Sequence, residues 1–214
     1  MKDLLVQPAY WIFLIGALAL TVSITVQGQN ASASDKLKGK RIAILVANGF
    51  EHSELFEPKK ALEAAGAKTF IISPERDQVK SWKDKTWGEE IAVDVPLASA
   101  KADQFDALLL PGGVMNPDTL RMNPDAVKFV KAIADAGKPV AAICHGPWTL
   151  LEADLVRGRK LTSWPSLKTD ILNAGGTWTD DEVVVDKGLV TSRKPADIPA
   201  FNRAMIEMFA YNSK

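Results

Sequence analysis

Gly137-Lys138-Pro139-Val140-Ala141-Ala142-Ile143-Cys144-His145-Gly146-Pro147-Trp148 decides the fold. Its apolar run stops at Cys-His-Gly-Pro. That pattern reads as a buried parallel strand, a tight turn and then a helix with Pro147 in its first turn, where a missing N–H costs nothing. Cys144 then occupies the tip of a nucleophile elbow, its side chain lifted above the C-terminal end of the strand with the helix's free N–H groups beneath it. Such a setting lowers a thiol pKa. A free cysteine is otherwise a small buried hydrophobe. Here the adjacent His145, the Gly146 that follows and the lack of any second cysteine favour reactivity.

Outward from this stretch, strands alternate with helices. Residues 41–47 form a continuous apolar strand, followed by a turn and a helix that runs to about Ala65 and is closed by Gly66. Residues 68–73 read as the next strand, and residues 74–95, with Trp82, Trp87 and Gly88 among charges, as a small hairpin or an excursion from the sheet. Residues 104–110 are a second deeply buried strand, halted by Pro111-Gly112-Gly113. An amphipathic helix follows Asn123-Pro124 and stops at Gly137. Downstream lie a short strand at 161–164, a hairpin of 183–186 and 189–192 across Lys187-Gly188, and a final helix over 198–209. The alternation predicts an α/β fold: a mostly parallel sheet between helical layers, with ligand sites at the C-terminal strand edges. Three of those edges carry Glu51, Gly112-Gly113 and Cys144.

Acyl or carbonyl chemistry needs a nucleophile, a proton carrier and donors for a developing oxyanion. Cys144 supplies the first. The backbone N–H groups of His145 and Gly113 are candidate oxyanion-hole donors, although a Gly-Gly pair is also an ordinary turn. His145 is the candidate base, provided the turn lets two adjacent side chains meet. Glu51, if it lies near the thiol in a dry pocket, would hold its proton and donate to a thiolate; its alternative role is a helix N-terminal acid. His52 stands at the same helix start, where capping or a surface role competes with catalysis. No metal-ligand spacing and no phosphate loop occurs, so no metal and no cofactor are expected.

The chain has 214 residues, 47% hydrophobic, 24% charged and with formal net charge zero. Without a basic block, no nucleic-acid partner is expected. Residues 38–212 suit one globular domain of about 175 residues. Residues 1–34 do not belong to it: Met1-Lys2, an apolar run over 9–26 and the small-x-small Ala31-Ser32-Ala33 read as a secretory signal, or as a membrane anchor if uncleaved. Either way the domain is expected to be exported, periplasmic or extracellular.

With Ala47-Asn48-Gly49-Phe50-Glu51, residues 105–113 and Ala142-Ile143-Cys144-His145-Gly146-Pro147 in this order, the chain resembles the PfpI family of cysteine proteases and protein deglycases. These belong to the DJ-one superfamily of glutamine-amidotransferase-like, flavodoxin-type folds. Arg157-Gly158-Arg159-Lys160, Asn173-Ala174-Gly175 and Pro195-Ala196-Asp197 extend the match. The resemblance implies a flavodoxin-like three-layer sandwich, a nucleophilic Cys144 beside His145, and Glu51 paired with the thiol. It also implies a homo-oligomer, a dimer or a hexamer of dimers, in which an acid from the adjacent subunit orients the histidine; the matching position is Asp118. The implied function is a cysteine-dependent hydrolase in stress protection, acting on a peptide, a protein adduct or a small carbonyl substrate. The alternative is a non-enzymatic redox sensor or holdase built on an oxidisable Cys144.

Overall fold

A strand with a helical layer on each face is apolar on both sides, and β1 (Arg41–Leu45) is buried at all but its first residue. A computed structural model describes residues 35–211. The expected leader, residues 1–34, lies outside them. After β1 the chain makes β2 (Phe50–Glu51), α1 (His52–Ala64), β3 (Lys68–Ser73), the hairpin β4 (Gln78–Lys83) and β5 (Thr86–Ala92), and β6 (Val95–Pro96). Then come β7 (Ala107–Leu110), α2 (Met115–Arg121), α3 (Pro124–Asp135), β8 (Val140–Ile143) and α4 (Pro147–Glu152). The last third holds β9 (Lys160–Leu161), α5 (Lys168–Asn173), β10 (Thr177–Trp178), β11 (Val183–Asp186), β12 (Leu189–Ser192) and α6 (Ile198–Tyr211). No helix among the described residues is long and apolar enough to cross a membrane.

The main sheet runs β11-β12-β8-β7-β1-β3-β6, parallel throughout except for the β11–β12 hairpin. Its two faces bury separate cores. Ile42 and Ile44 point towards Leu55 and Leu62 of α1 and Phe201 and Met205 of α6. Ala43 and Leu45 point the other way, towards Leu120, Phe129, Ile133, Leu150 and Ile171 from α2 to α5. The period-2 alternation of a strand meets the 3.6-residue stripe of a helix on each side, which is the expected three-layer α/β sandwich.

Two local readings are corrected. The strand expected over 104–110 starts at Ala107, because Ala102–Gln104 form a 3-10 turn ahead of it. The strand expected over 161–164 is only Lys160–Leu161, paired with β10. Asn116-Pro117, a pair whose composition favours a turn, lies inside α2. The Asn116 side chain, a frequent turn former, is instead fully buried: its Oδ1 accepts from Ala47 N–H (2.7 Å) and its Nδ2 donates to the Pro111 (2.9 Å) and Gly112 (3.0 Å) carbonyls. This one amide ties the loop after β1 to the loop after β7.

The elbow follows β8. Cys144 has φ 62°, left-handed backbone that costs an L-residue about 1–2 kcal/mol. Its N–H donates to Ser192 O (3.0 Å) and its carbonyl accepts from Trp164 N–H (2.9 Å), so the strain is held from both sides. Gly146 completes the turn. A Cβ there would stand 2.5 Å from Leu110 O and 2.9 Å from Ile143 O, both backbone atoms that cannot move aside. Gly146→Ala should therefore cost about 2–3 kcal/mol by overpacking alone. Gly137→Ala, at φ 71° with open space around the added carbon, should cost about 1 kcal/mol. Urea denaturation of both variants checks this, and equal losses would mean that the elbow tolerates a side chain.

Candidate active site

Cys144 and His145 meet despite being sequence neighbours: Sγ lies 3.2 Å from Nδ1. The left-handed turn at Cys144 swings the two side chains to the same side. Backbone N–H groups of Gly113 and His145 also point at the sulfur. Gly113 can take its φ of 79° without strain, and a Cβ on it would strike Gly49 O at 2.6 Å. Both expected donors thus stand beside the thiol. Among the described residues no group of His, Cys, Asp and Glu could hold a metal ion.

The acid beside the thiol is Glu54, which corrects the expected pairing of Glu51. Glu51 is the N-cap of α1, and its carboxylate folds back to accept from Glu54 N–H (2.8 Å) and Ser53 Oγ–H (2.6 Å). That was the alternative role read for it. One turn on, Glu54 belongs to the buried stripe of α1 with Leu55, Pro58 and Leu62. Its Oε2 accepts from Gly112 N–H (3.0 Å), and its carboxyl is hydrogen-bonded with the Cys144 thiol. Gly112 sits between the two: a Cβ there would be 2.5 Å from Glu54 Oε2 and 2.7 Å from Cys144 Cβ. The spacing of Glu54 on the apolar stripe of the helix was a legible signal for an acid facing the sheet.

Burial, and then the neighbouring Glu51 charge, pushes the Glu54 pKa up from 4.5 to about 8, so the carboxyl holds its proton at neutral pH. Burial, and then the charge Glu54 carries once ionised, pushes the Cys144 thiol up, against the pull of the Gly113 and His145 N–H groups. The lowered thiol pKa expected of the elbow is therefore opposed by the dryness of the site, and α4 spans only six residues. While Glu54 is neutral the charge repulsion is absent. His145 is pulled down from 6.5 to about 4 by burial, so it is a neutral imidazole at rest. Its ring lies between Trp148 (centroids 5.1 Å apart) and Trp164 (5.9 Å, nearly parallel), which keep water off it. Its Nε2 faces Ser166 Oγ at 3.3 Å.

Asp118 lies in the first turn of α2 and is exposed. Its carboxylate has no hydrogen-bond or ion-pair partner among the described residues, and it does not reach His145 of its own chain. Val114, Met115 and Met122 beside it are exposed as well. His52 takes a structural place, with Nδ1 3.3 Å from Ser81 Oγ and its ring against Phe56. Glu54, Ser166 and Asn116 are the residues that the sequence reading missed.

The two shifted groups pull stability in opposite directions. Glu54 has a raised folded-state pKa, so its contribution is full below 4.5 and is lost as pH rises towards about 8. His145 has a depressed one, so its contribution is full above 6.5 and is lost as pH falls towards about 4. Between 4.5 and 6.5 they offset each other, and from 6.5 to about 8 Glu54 acts alone. In that upper window wild type should lose up to about 1.4 kcal/mol per pH unit relative to Glu54→Gln. Guanidine denaturation at several pH values reads the difference directly; parallel curves would mean that Glu54 is already ionised.

Residues 40–208 match the model of the DJ-1/PfpI family. The chain is 44% identical over 170 residues to protein/nucleic acid deglycase 2 of Escherichia coli, covering 79% of this chain and 97% of that protein. It is 44% identical over 171 residues to general stress protein 18 of Bacillus subtilis, covering 79% and 98%. Among solved structures, Drosophila melanogaster DJ-1beta superposes with a TM-score of 0.73 at 29% identity, over 80% of this chain and 90% of that one. An elbow cysteine in a flavodoxin-like sandwich, matched over nearly the whole length of these relatives, makes this chain a member of the DJ-1/PfpI family.

Proposed function

We propose that the protein is a cysteine-dependent hydrolase that acts on small carbonyl compounds and on their adducts with amines, in the manner that the name of its deglycase relative suggests. The observation that carries this reading is the enclosure of the reactive pair: Cys144 is 6% exposed and His145 8%. An extended peptide needs an open groove beside the nucleophile, whereas a small α-oxoaldehyde unit can enter a nearly closed one. Sulfur adds to the carbonyl carbon, the π pair moves onto oxygen, and the thiol proton passes to His145 Nδ1. The N–H groups of Gly113 and His145 lie where the oxyanion forms. With an adduct, the amine first leaves its carbinol carbon as the hydroxyl proton passes to nitrogen, which frees the aldehyde that sulfur attacks. The imidazolium gives its proton to the oxyanion, forming a hemithioacetal; the base then takes the C–H proton from that carbon and returns it to the neighbouring ketone carbon through the enediol, and water hydrolyses the resulting thioester to a 2-hydroxy acid and the free thiol. Protonated Glu54 keeps a second negative charge away from the sulfur during addition.

Purified protein should consume methylglyoxal and its adduct with acetyl-arginine at least about 100-fold faster than it cleaves a fluorogenic peptide. Cys144→Ala should abolish turnover and Glu54→Gln should lower it by about 10- to 100-fold. Faster cleavage of the peptide, or turnover that survives Cys144→Ala, would overturn the reading.

The same reading includes a homo-oligomer with a shared site. Supporting it are the unpartnered, exposed Asp118 and the apolar Val114 (56% exposed) and Met122 (78%) on either side of it. Asp118→Asn should leave folding intact and lower turnover by about 10- to 1000-fold, as loss of an acid that supports the catalytic histidine does. Mixing Cys144→Ala and Asp118→Asn chains under subunit exchange should restore about a quarter to a half of wild-type activity, since some interfaces then gather both lesions in one site. No recovery despite proven exchange would confine Asp118 to its own chain.

A further inference from the structure

We infer that Ser166 is a positioning residue of the active site: it fixes the tautomer of His145 and so turns Nδ1 into an acceptor for the thiol proton. This rests on the hydrolase reading above and extends it. Three facts carry it. Nδ1 is engaged by Cys144 Sγ at 3.2 Å, which leaves Nε2 as the one ring nitrogen open to a further partner, and Ser166 Oγ stands there at 3.3 Å. The imidazole is neutral at rest because the site is dry, so only one of its nitrogens carries hydrogen. Ser166 is itself exposed, so its hydroxyl proton can go to solvent while its oxygen accepts from Nε2–H. The Nδ1 lone pair then faces the thiol, whereas in the other tautomer Nδ1 would donate to sulfur and could take no proton from it.

The position of Ser166 is built rather than incidental. It sits in the 3-10 turn Pro165–Leu167, with Pro165 at its start and Leu167 fully buried. Trp164, just before the turn, donates its backbone N–H to the Cys144 carbonyl (2.9 Å) and lays its ring along His145. The segment is thus fastened to the elbow at one end and to the core at the other, with the serine hydroxyl between. When the thiol proton arrives at Nδ1, the imidazolium keeps its Nε2–H bond to Ser166, so nothing in the site has to reorient. The hydroxyl still has its own proton to give. A carboxylate supplied by a second copy would find Nε2 already occupied, and would meet His145 through this hydroxyl or beside it.

The test uses the full chain labelled with ¹⁵N-histidine and carrying His52→Gln, which leaves His145 as its one imidazole, since the sequence has two histidines. The ring nitrogen shifts should report an Nε2-protonated tautomer in the otherwise wild-type protein, and a tautomer mixture after Ser166→Ala. Ser166→Thr, which keeps the hydroxyl, should restore the single tautomer. In parallel, Ser166→Ala should lower kcat towards methylglyoxal by about 3- to 30-fold with KM unchanged within about twofold, and Ser166→Thr should recover most of the loss. Unchanged ring shifts in Ser166→Ala would overturn the inference, including when kcat falls, because the serine would then act on something other than the tautomer. If wild type turns over no carbonyl at all, the hydrolase reading fails while the ring shifts still decide the role of Ser166.

Discussion

Everything in the site depends on the backbone of one residue. Cys144 is held in a left-handed conformation that an L-residue avoids, and the hold comes from Ser192 O on its N–H and Trp164 N–H on its carbonyl. The first partner ends β12, which pairs with β8 in register Ser192↔Ile143. The sheet order, with β8 between β12 and β7, thus supplies the force that keeps the elbow bent. Because the turn is bent this way, Sγ and Nδ1 of consecutive residues come into contact, which an extended or helical backbone would prevent. The glycines follow from the same constraint: Gly112 and Gly146 stand where the elbow leaves no room for a Cβ.

The second constraint is dryness. Glu54 is fully buried, and a carboxyl there remains only because it can stay neutral and hydrogen-bonded to Gly112 N–H and to the thiol. Its Oε1 has no partner among the described residues. A purely structural helix would place an apolar residue at this position of its stripe, next to Leu55, and gain stability by it. The protein instead keeps a proton donor against its nucleophile at a cost to folding that grows with pH. That trade is characteristic of sites where charge must be moved rather than stored.

The fold was legible because its signals are local and redundant. The apolar runs of β1, β7 and β8, each ended by turn residues, and the Lys187-Gly188 hairpin required no knowledge of the rest of the chain. The α2 helix was hidden by Asn116-Pro117, whose composition says turn while tertiary hydrogen bonds to Ala47, Pro111 and Gly112 say otherwise. In the site, Cys144, His145 and Gly113 were legible from one turn and its neighbouring strand edge. Glu51 and Glu54 differ by less than one helical turn, and the choice between capping and facing the sheet depends on where α1 begins, the least certain feature of any sequence reading. Ser166 was invisible for a different reason. It reaches His145 across 21 residues of sequence through a 3-10 turn that no periodicity announces.

The neutral imidazole sets the last problem. A base with a pKa of about 4 is poorly matched to removing a thiol proton near neutral pH, and the cause is burial between Trp148 and Trp164 in a single chain. Ser166 can orient this ring but, being uncharged, cannot raise its basicity much. A carboxylate brought up to the ring, through the Ser166 hydroxyl or beside it, would favour the imidazolium and move the pKa back towards the working range. Asp118 has the charge, the exposure and no partner among the described residues, and it makes no bond to its own His145. On the proposed shared site, the two needs, orientation and base strength, fall to different residues: Ser166 within the chain serves the first and an acid from a second copy the second. In that proposal a lone chain holds a correctly aimed but weak base, and the second copy's carboxylate strengthens it.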